Sequence, residues 1–201
     1  VTDLAFAGDI LYLATATGVE VYRQTVDREL QRLMVINTAT LGGVAERLQI
    51  VNDSLFALIP ALQKVVEIEL ISGAYATVNS VNLKASASDV FNASAMLIQG
   101  NHLLVSTGQR ASVKLYELRP DNRSEYVAEV NLTYLIKNGD LFAGDLLIKG
   151  QTLYVASGQG DLQLFDISPW LDSRYRADIN LQHYFAVNGA VNGFAFGPDA
   201  L

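Results

Sequence analysis

The carboxylates around Asn138-Gly139-Asp140 and Asp145 are the side chains best placed to do chemistry in this sequence. They gather ahead of an apolar run, and Asp3 holds the matching place near the start of the chain. Oxygen ligands collected in one loop can hold Ca²⁺. No Asp-x-Asp-x-Asp run accompanies them, and Asp and Gly are ordinary turn formers, so no metal and no cofactor is expected. The two histidines, His102 and His183, are 81 residues apart, and neither has a second His or a carboxylate at ligand spacing. A serine nucleophile would need an elbow of the Gly-x-Ser-x-Gly kind, which is missing. Ser157-Gly158-Gln159-Gly160 lacks the Lys-Ser/Thr and the following helix of a phosphate loop. Arg110 and Gln159 fall in loops that follow apolar strand patterns. Asp3, Arg110, Asp140, Asp145 and Gln159 are therefore the candidate binding residues, and no catalytic residue is identified.

The elements that must position these residues repeat. Ile36-Asn37-Thr38 returns as Val81-Asn82-Leu83, Val130-Asn131-Leu132 and Ile179-Asn180-Leu181, with the asparagines 45, 49 and 49 residues apart. A turn between apolar runs recurs with the same period, holding Gly8, Asn52, Gly100 and Gly150 at its first position. Gly and Asn tolerate the positive φ that a two-residue hairpin needs. Each unit reads as four short strands, with the third alternating apolar and polar: Val19 and Val21, Val66 and Ile68, Val113 and Leu115, Leu162 and Leu164 are expected on one face. Glu20, Glu67, Lys114 and Gln163 are expected on the other. The nearest thing to a helical period is Val26 to Met34. The recurring asparagine falls in the fourth strand, where a side-chain hydrogen bond to backbone is expected.

This spacing of β units points to an all-β propeller of four-stranded antiparallel blades. The blades are expected at about 1–42, 43–90, 91–140 and 141–190, all in one domain, 1–201. The tail 191–201 matches the first eleven residues at five positions. It reads as the first strand of a fifth unit, and the whole as part of a larger propeller. Half of the residues are hydrophobic and 17% are charged, which is the composition of a core-rich globular chain. The net charge of −7 repels phosphate backbones, so nucleic acid is not an expected partner, and no apolar run reaches the roughly 18 residues of a membrane span. Cysteine is absent, which removes disulfides and thiolate metal sites. Trp170, in the longest connection between third and fourth strands, is expected to pack under its own loop.

The fourth unit, with Gly150, Tyr154-Val155, Gly160 and Leu162 to Pro169, resembles the LVIVD-type repeat of bacterial surface and exported β-propellers. The first unit keeps Gly8, Leu11-Tyr12-Leu13 and Gly18, and the second and third carry Glu69-Leu70 and Glu117-Leu118 in place of Asp-Ile. The resemblance implies an exported or cell-surface bacterial protein. The expected function is a non-catalytic interaction module binding a protein or carbohydrate partner. The alternative is a propeller-type hydrolase or lactonase with a polar or metal site at the central channel. Exposed flanking blades would also let the chain associate with itself.

Overall fold

A computed structural model describes residues 1–71, 74–83, 92–108, 112–119, 124–132, 143–157, 161–171, 181–186 and 194. The described chain is all-β. Its strands are β1 (Asp3–Ala7), β2 (Ile10–Thr15), β3 (Gly18–Gln24), β4 (Leu30–Asn37), β5 (Arg47–Val51), β6 (Ser54–Ile59), β7 (Lys64–Ile71) and β8 (Ala74–Asn82). They continue as β9 (Ala93–Gln99), β10 (His102–Thr107), β11 (Ser112–Leu118), β12 (Ser124–Asn131), β13 (Leu146–Lys149), β14 (Thr152–Ala156), β15 (Asp161–Asp166) and β16 (Leu181–Ala186). Each consecutive group of four forms one meandering sheet, and the pairings are antiparallel. These are the blades of a β-propeller. The segment Val26 to Met34 is not helical: a turn at Thr25–Arg28 reverses the chain into β4. The tail 191–201 is outside the described residues except Phe194.

The hairpin between first and second strands is built as its residues require. Gly8, Asn52, Gly100 and Gly150 all have φ between 54° and 61°, the left-handed region that Gly and Asn enter at little cost. At three of these turns the chain is clamped again, by a residue near the end of the third strand. The N–H groups of Gln24, Leu70 and Ile167 donate to the carbonyls of Asp9, Asp53 and Gln151. The same bond thus recurs in three blades at the same place.

The chain divides into two compact units. One comprises Val1–Val90, Ile98–Gly100 and Leu118–Ser124; the other comprises Phe91–Leu97, Asn101–Glu117 and Glu125–Leu201. In the first unit a core cluster joins Tyr12, Ala14, Val19, Val21 and Ile36 of blade 1 to Leu48, Leu55, Ala57, Val66 and Ile68 of blade 2. In the second unit Leu104, Val113 and Leu115 join Leu146, Leu153, Val155 and Phe165. Each such buried aliphatic side chain contributes roughly 1.5–3 kcal/mol. Trp170, on the short helical turn α2 (Ser168–Leu171), lies in this second core, 2% exposed, next to Ile167. Asp166 starts that turn by accepting a 2.9 Å bond from the Ser168 N–H. The Ser168 hydroxyl, and after it this backbone bond, holds the Asp166 carboxyl below its ordinary range.

Blade 2 corrects the expected alignment of the third strands. Gly18 opens β3 opposite Asn37, and Lys64 opens β7 opposite Asn82. Val65 therefore corresponds to Val19, and Val66 to Glu20. Val19 and Val21 look from blade 1 into the shared core, whereas Val66 and Ile68 look into it from blade 2. The two pairs occupy opposite faces of their blades. Polarity misleads here because Val65, Val66 and Ile68 are all essentially buried, so no wet side marks the register. The longer connection through the 3₁₀ turn Pro60–Leu62 and the left-handed Gln63 supplies the offset.

The third and fourth strands share an irregularity. Pairing skips a residue after Val21, Glu67 and Leu164, leaving Leu33, Val78 and Gln182 as the extra residues on β4, β8 and β16. A bulge repeated in this way sharpens the local twist. Asn37 ends β4 and caps the short helical turn α1 (Thr38–Leu41), its Oδ1 accepting from the Thr40 N–H at 2.9 Å. The side-chain bond expected for the recurring asparagine is thus present in blade 1. Asn180 lies outside the described residues. In blade 4 the residue opposite the first of β15 is Ala186, so the tripeptide match at 179–181 is six residues out of structural register.

Two glycines test this backbone. A Cβ at Gly150 would meet nothing within 4 Å, whereas one at Gly18 would lie 2.1 Å from the Ile36 carbonyl oxygen. Gly150→Ala should cost about 1 kcal/mol from φ alone, and Gly150→Asn less. Gly18→Ala should cost several times more. Urea unfolding of the three variants gives the order directly, and equal losses would refute it.

Candidate functional site

The polar side chains of interest lie where each innermost strand begins and where the second strand turns into the third. The start of the innermost strand has a distinctive backbone. Thr2, Glu46 and Gly144 donate to the carbonyls of Ala14, Leu58 and Ala156, one residue off the strand register. This irregularity precedes Asp3, Arg47 and Asp145.

In the first unit Asp3 reaches the next blade. Its Oδ2 accepts a 2.7 Å bond from the Leu48 N–H, and the Thr2 hydroxyl lies 3.3 Å from the Ala45 carbonyl. Gln49 acts similarly one position further along. Its side-chain amide accepts from the Ile98 N–H at 2.7 Å and donates to the Ile98 carbonyl at 3.0 Å. Arg47 donates to the Glu46 carbonyl at 2.9 Å. Lys64 is half-buried, with Nζ lying 2.7 Å from where a Cβ on Gly42 would stand. Thr15 and Thr17 pair their hydroxyls at 3.0 Å.

In the second unit Asp145 repeats the part of Asp3, its Oδ2 accepting from the Phe194 N–H at 3.2 Å. Ser94 repeats the part of Thr2, donating to the Ala143 carbonyl. Behind it, the buried Ser106 hydroxyl accepts from the Ala95 N–H at 2.9 Å. A second buried chain runs from Thr107 through Ser112 to the Glu129 carboxylate. Thr107 and Ser112 are fully enclosed, and the Ser112 proton is held by Glu129. This chain satisfies buried polar groups, as low-dielectric surroundings demand, and offers no exposed nucleophile. Lys114 and Gln163 are likewise enclosed.

Of the five residues singled out from sequence, Asp3 and Asp145 occupy equivalent positions and both spend an oxygen on a neighbouring backbone. Arg110, Asp140 and Gln159 lie outside the described residues. Sequence reasoning missed Gln49, Thr2 and Ser94, whose spacing to their partners of 49, 43 and 49 residues matches the repeat and could have revealed them. Among the described residues no three His, Asp or Glu side chains gather as a metal site. His102 opens β10 opposite Glu117. Its partial burial lowers the imidazole pKa, and the Glu117 carboxylate opposes this only in part.

No protein-family model matches the sequence. No curated protein matches it either. Solved structures do. A protein of Lactobacillus plantarum superposes with a TM-score of 0.71 at 12% identity, over 89% of this chain and 54% of its own. The periplasmic gluconolactonase of Pseudomonas aeruginosa gives 0.70 at 14% identity, over 94% of this chain and 58% of its own. A putative 6-phosphogluconolactonase of Bacteroides uniformis gives 0.70 at 12% identity, over 94% and 55%. The chain thus spans little more than half the length of each of these three structures.

These comparisons establish the β-propeller fold and correct the expectation of a non-catalytic interaction module. Two of these three structures carry an activity in their names, and both are named as lactonases, which favours the alternative. The expectation failed because it treated the lack of a catalytic constellation as informative. A propeller can assemble a site from several blades, and this chain matches little more than half of each similar structure.

Two outcomes follow from the geometry. Asp3→Ala leaves the Leu48 N–H without its acceptor and should cost about 1–3 kcal/mol in urea unfolding, with Asp3→Asn costing less; no loss in either would show the bond to be idle. His102 binds its proton more weakly folded than unfolded, so the unfolded chain takes up more protons as pH falls. Stability should therefore drop on acidification through the ordinary histidine range near 6.5. His102→Gln should remove that component of a pH series of thermal unfolding curves.

Proposed function

We propose that this chain belongs to a lactonase-type propeller that opens the ring of a sugar lactone at the end of the blades where the innermost strands begin. The observation that carries the reading is the superposition, over 94% of the chain, on one structure named as a gluconolactonase and one named as a putative 6-phosphogluconolactonase. Water adds to the lactone carbonyl to give a tetrahedral oxyanion; the ring C–O bond then breaks, its oxygen leaving as a hydroxyl, and the new acid sheds one proton to become a carboxylate. Donors and cations aimed at the developing charge are the largest single aid to such a step. In the first unit Arg47 and Lys64 are cations at this end of blade 2, and both are partly exposed. They would steady the oxyanion and the acid product.

The reading includes a bacterial origin and export from the cytoplasm, supported by the periplasmic protein among the similar structures. Within it the Gly150 to Pro169 stretch is a repeat of the LVIVD type, whose Asp166-Ile167-Ser168-Pro169 run launches the turn that buries Trp170. The partner in this reading is a carbohydrate, as its substrate class requires.

The test is ring opening of D-glucono-1,5-lactone followed by pH-stat. The chain should exceed the spontaneous rate, and Arg47→Gln or Lys64→Gln should lower the excess about 10-fold or more. A rate equal to the blank, together with no change in protein NMR signals on adding D-gluconate, would remove the proposal.

A further inference from the structure

Lys64 opens β7 opposite Ile59 and Asn82. The same place holds Gly18 in blade 1, opposite Thr15 and Asn37, and Ser112 in blade 3, opposite Thr107. Of the three only Lys64 is charged. Its stem brings the ammonium over the connection between blades 1 and 2. Nζ lies 2.7 Å, and Cε 3.6 Å, from the point where a Cβ on Gly42 would stand. Gly42 closes α1 with φ 78°, and Leu62 Cδ1 lies 3.8 Å from the same point. A Cβ on the next residue, Gly43, would meet Ile59 Cγ2 at 2.7 Å and Leu62 Cδ1 at 3.4 Å. Two glycines in succession thus let this connection lie against the turn between β6 and β7. The empty side of Gly42 is the berth of the ammonium.

The fold does not spend this charge. Among the described residues the Lys64 ammonium makes no hydrogen bond and no ion pair. It is half-buried, and a charge drawn from water without a partner is costly. Gln63, immediately before it, is left-handed at φ 50°. The Gln63 Oε1 is enclosed and has no hydrogen-bond partner among the described residues. Unspent polar groups and rare backbone conformations gather at functional places.

We propose that Gly42 is a positioning residue: having no side chain, it seats the Lys64 ammonium where ring opening needs a positive charge. The role rests on the lactonase reading above. Gly42 touches no substrate and acts only through Lys64. A Cβ there meets the far end of a flexible side chain rather than backbone. Gly42→Ala therefore moves the charge by roughly 1 Å, enough to restore ordinary contact, without removing it. A misplacement on that scale can cost on the order of 100-fold in rate.

A double-mutant cycle in the pH-stat assay with D-glucono-1,5-lactone tests the role. Gly42→Ala should lower kcat roughly 10-fold with KM little changed. In the Lys64→Gln chain the same change should cost no further activity, because the charge it displaces is gone. Gly8→Ala is the control, since Gly8 has φ 61° and a Cβ there meets nothing within 4 Å. It should lose similar stability and keep kcat. Gly42→Asn carries the same Cβ on a residue that accepts positive φ, should the alanine variant fail to fold. NMR of a lysine-labelled chain gives a readout apart from activity: the Lys64 Cε–H signal should move in Gly42→Ala and stay in Gly8→Ala. An unmoved signal, full kcat in Gly42→Ala and Gly42→Asn, or equal losses with and without the Lys64 ammonium would overturn the role and leave the lactonase reading in place. A parent chain that does not open the lactone would overturn both.

Discussion

An innermost strand has a partner on one side only, so alternate N–H groups along its free edge have no ladder to join. A buried donor without an acceptor costs about 1–3 kcal/mol, and an open edge invites foreign strands. This chain solves both problems with side chains from the blade before. Asp3 takes the N–H of Leu48, Gln49 takes the N–H and offers its own to the carbonyl of Ile98, and Asp145 takes the N–H of Phe194. Thr2 and Ser94 add bonds to the carbonyls of Ala45 and Ala143, which lie ahead of β5 and β13. Apolar packing presses the blades together without direction, whereas these bonds fix which residue faces which.

The repeat and the fold were legible because both rest on local rules. The left-handed turn residues at 8, 52, 100 and 150 announce the hairpins, and each has the φ that its type allows. The register of the third strand in blade 2 was not legible. Once a strand is covered on both faces, Val65 and Val66 look alike to any polarity pattern, and only pairing tells them apart. The fourth strand of blade 4 was misplaced for a similar reason: Ile179-Asn180-Leu181 repeats a short tripeptide, but the strand opposite β15 ends at Ala186.

The candidate site shows the opposite balance. Asp3 and Asp145 were rightly paired as equivalents, and polarity at a strand start suggested a ligand. Their nearest partners turn out to be backbone. The repeat spacing was in view but was not applied to polar side chains: 49 residues separate Gln49 from Ile98, Ser94 from Ala143, and Asp145 from Phe194. A polar residue one repeat away from a backbone group is a contact between blades before it is a site. The side chains left for chemistry in the first unit are those of blade 2, where Arg47 replaces the aspartate and Lys64 follows the left-handed Gln63.

Amide hydrogen exchange tests the account most directly. The N–H groups of Leu48 and Ile98 sit on an edge with no strand beyond them, yet each has a side-chain acceptor. They should exchange as slowly as the ladder amides of β6, and Asp3→Ala should release Leu48 while leaving Ile98 protected. Exchange of both at the rate of the exposed turn at Thr25–Arg28 would contradict the claim that these bonds hold blade to blade.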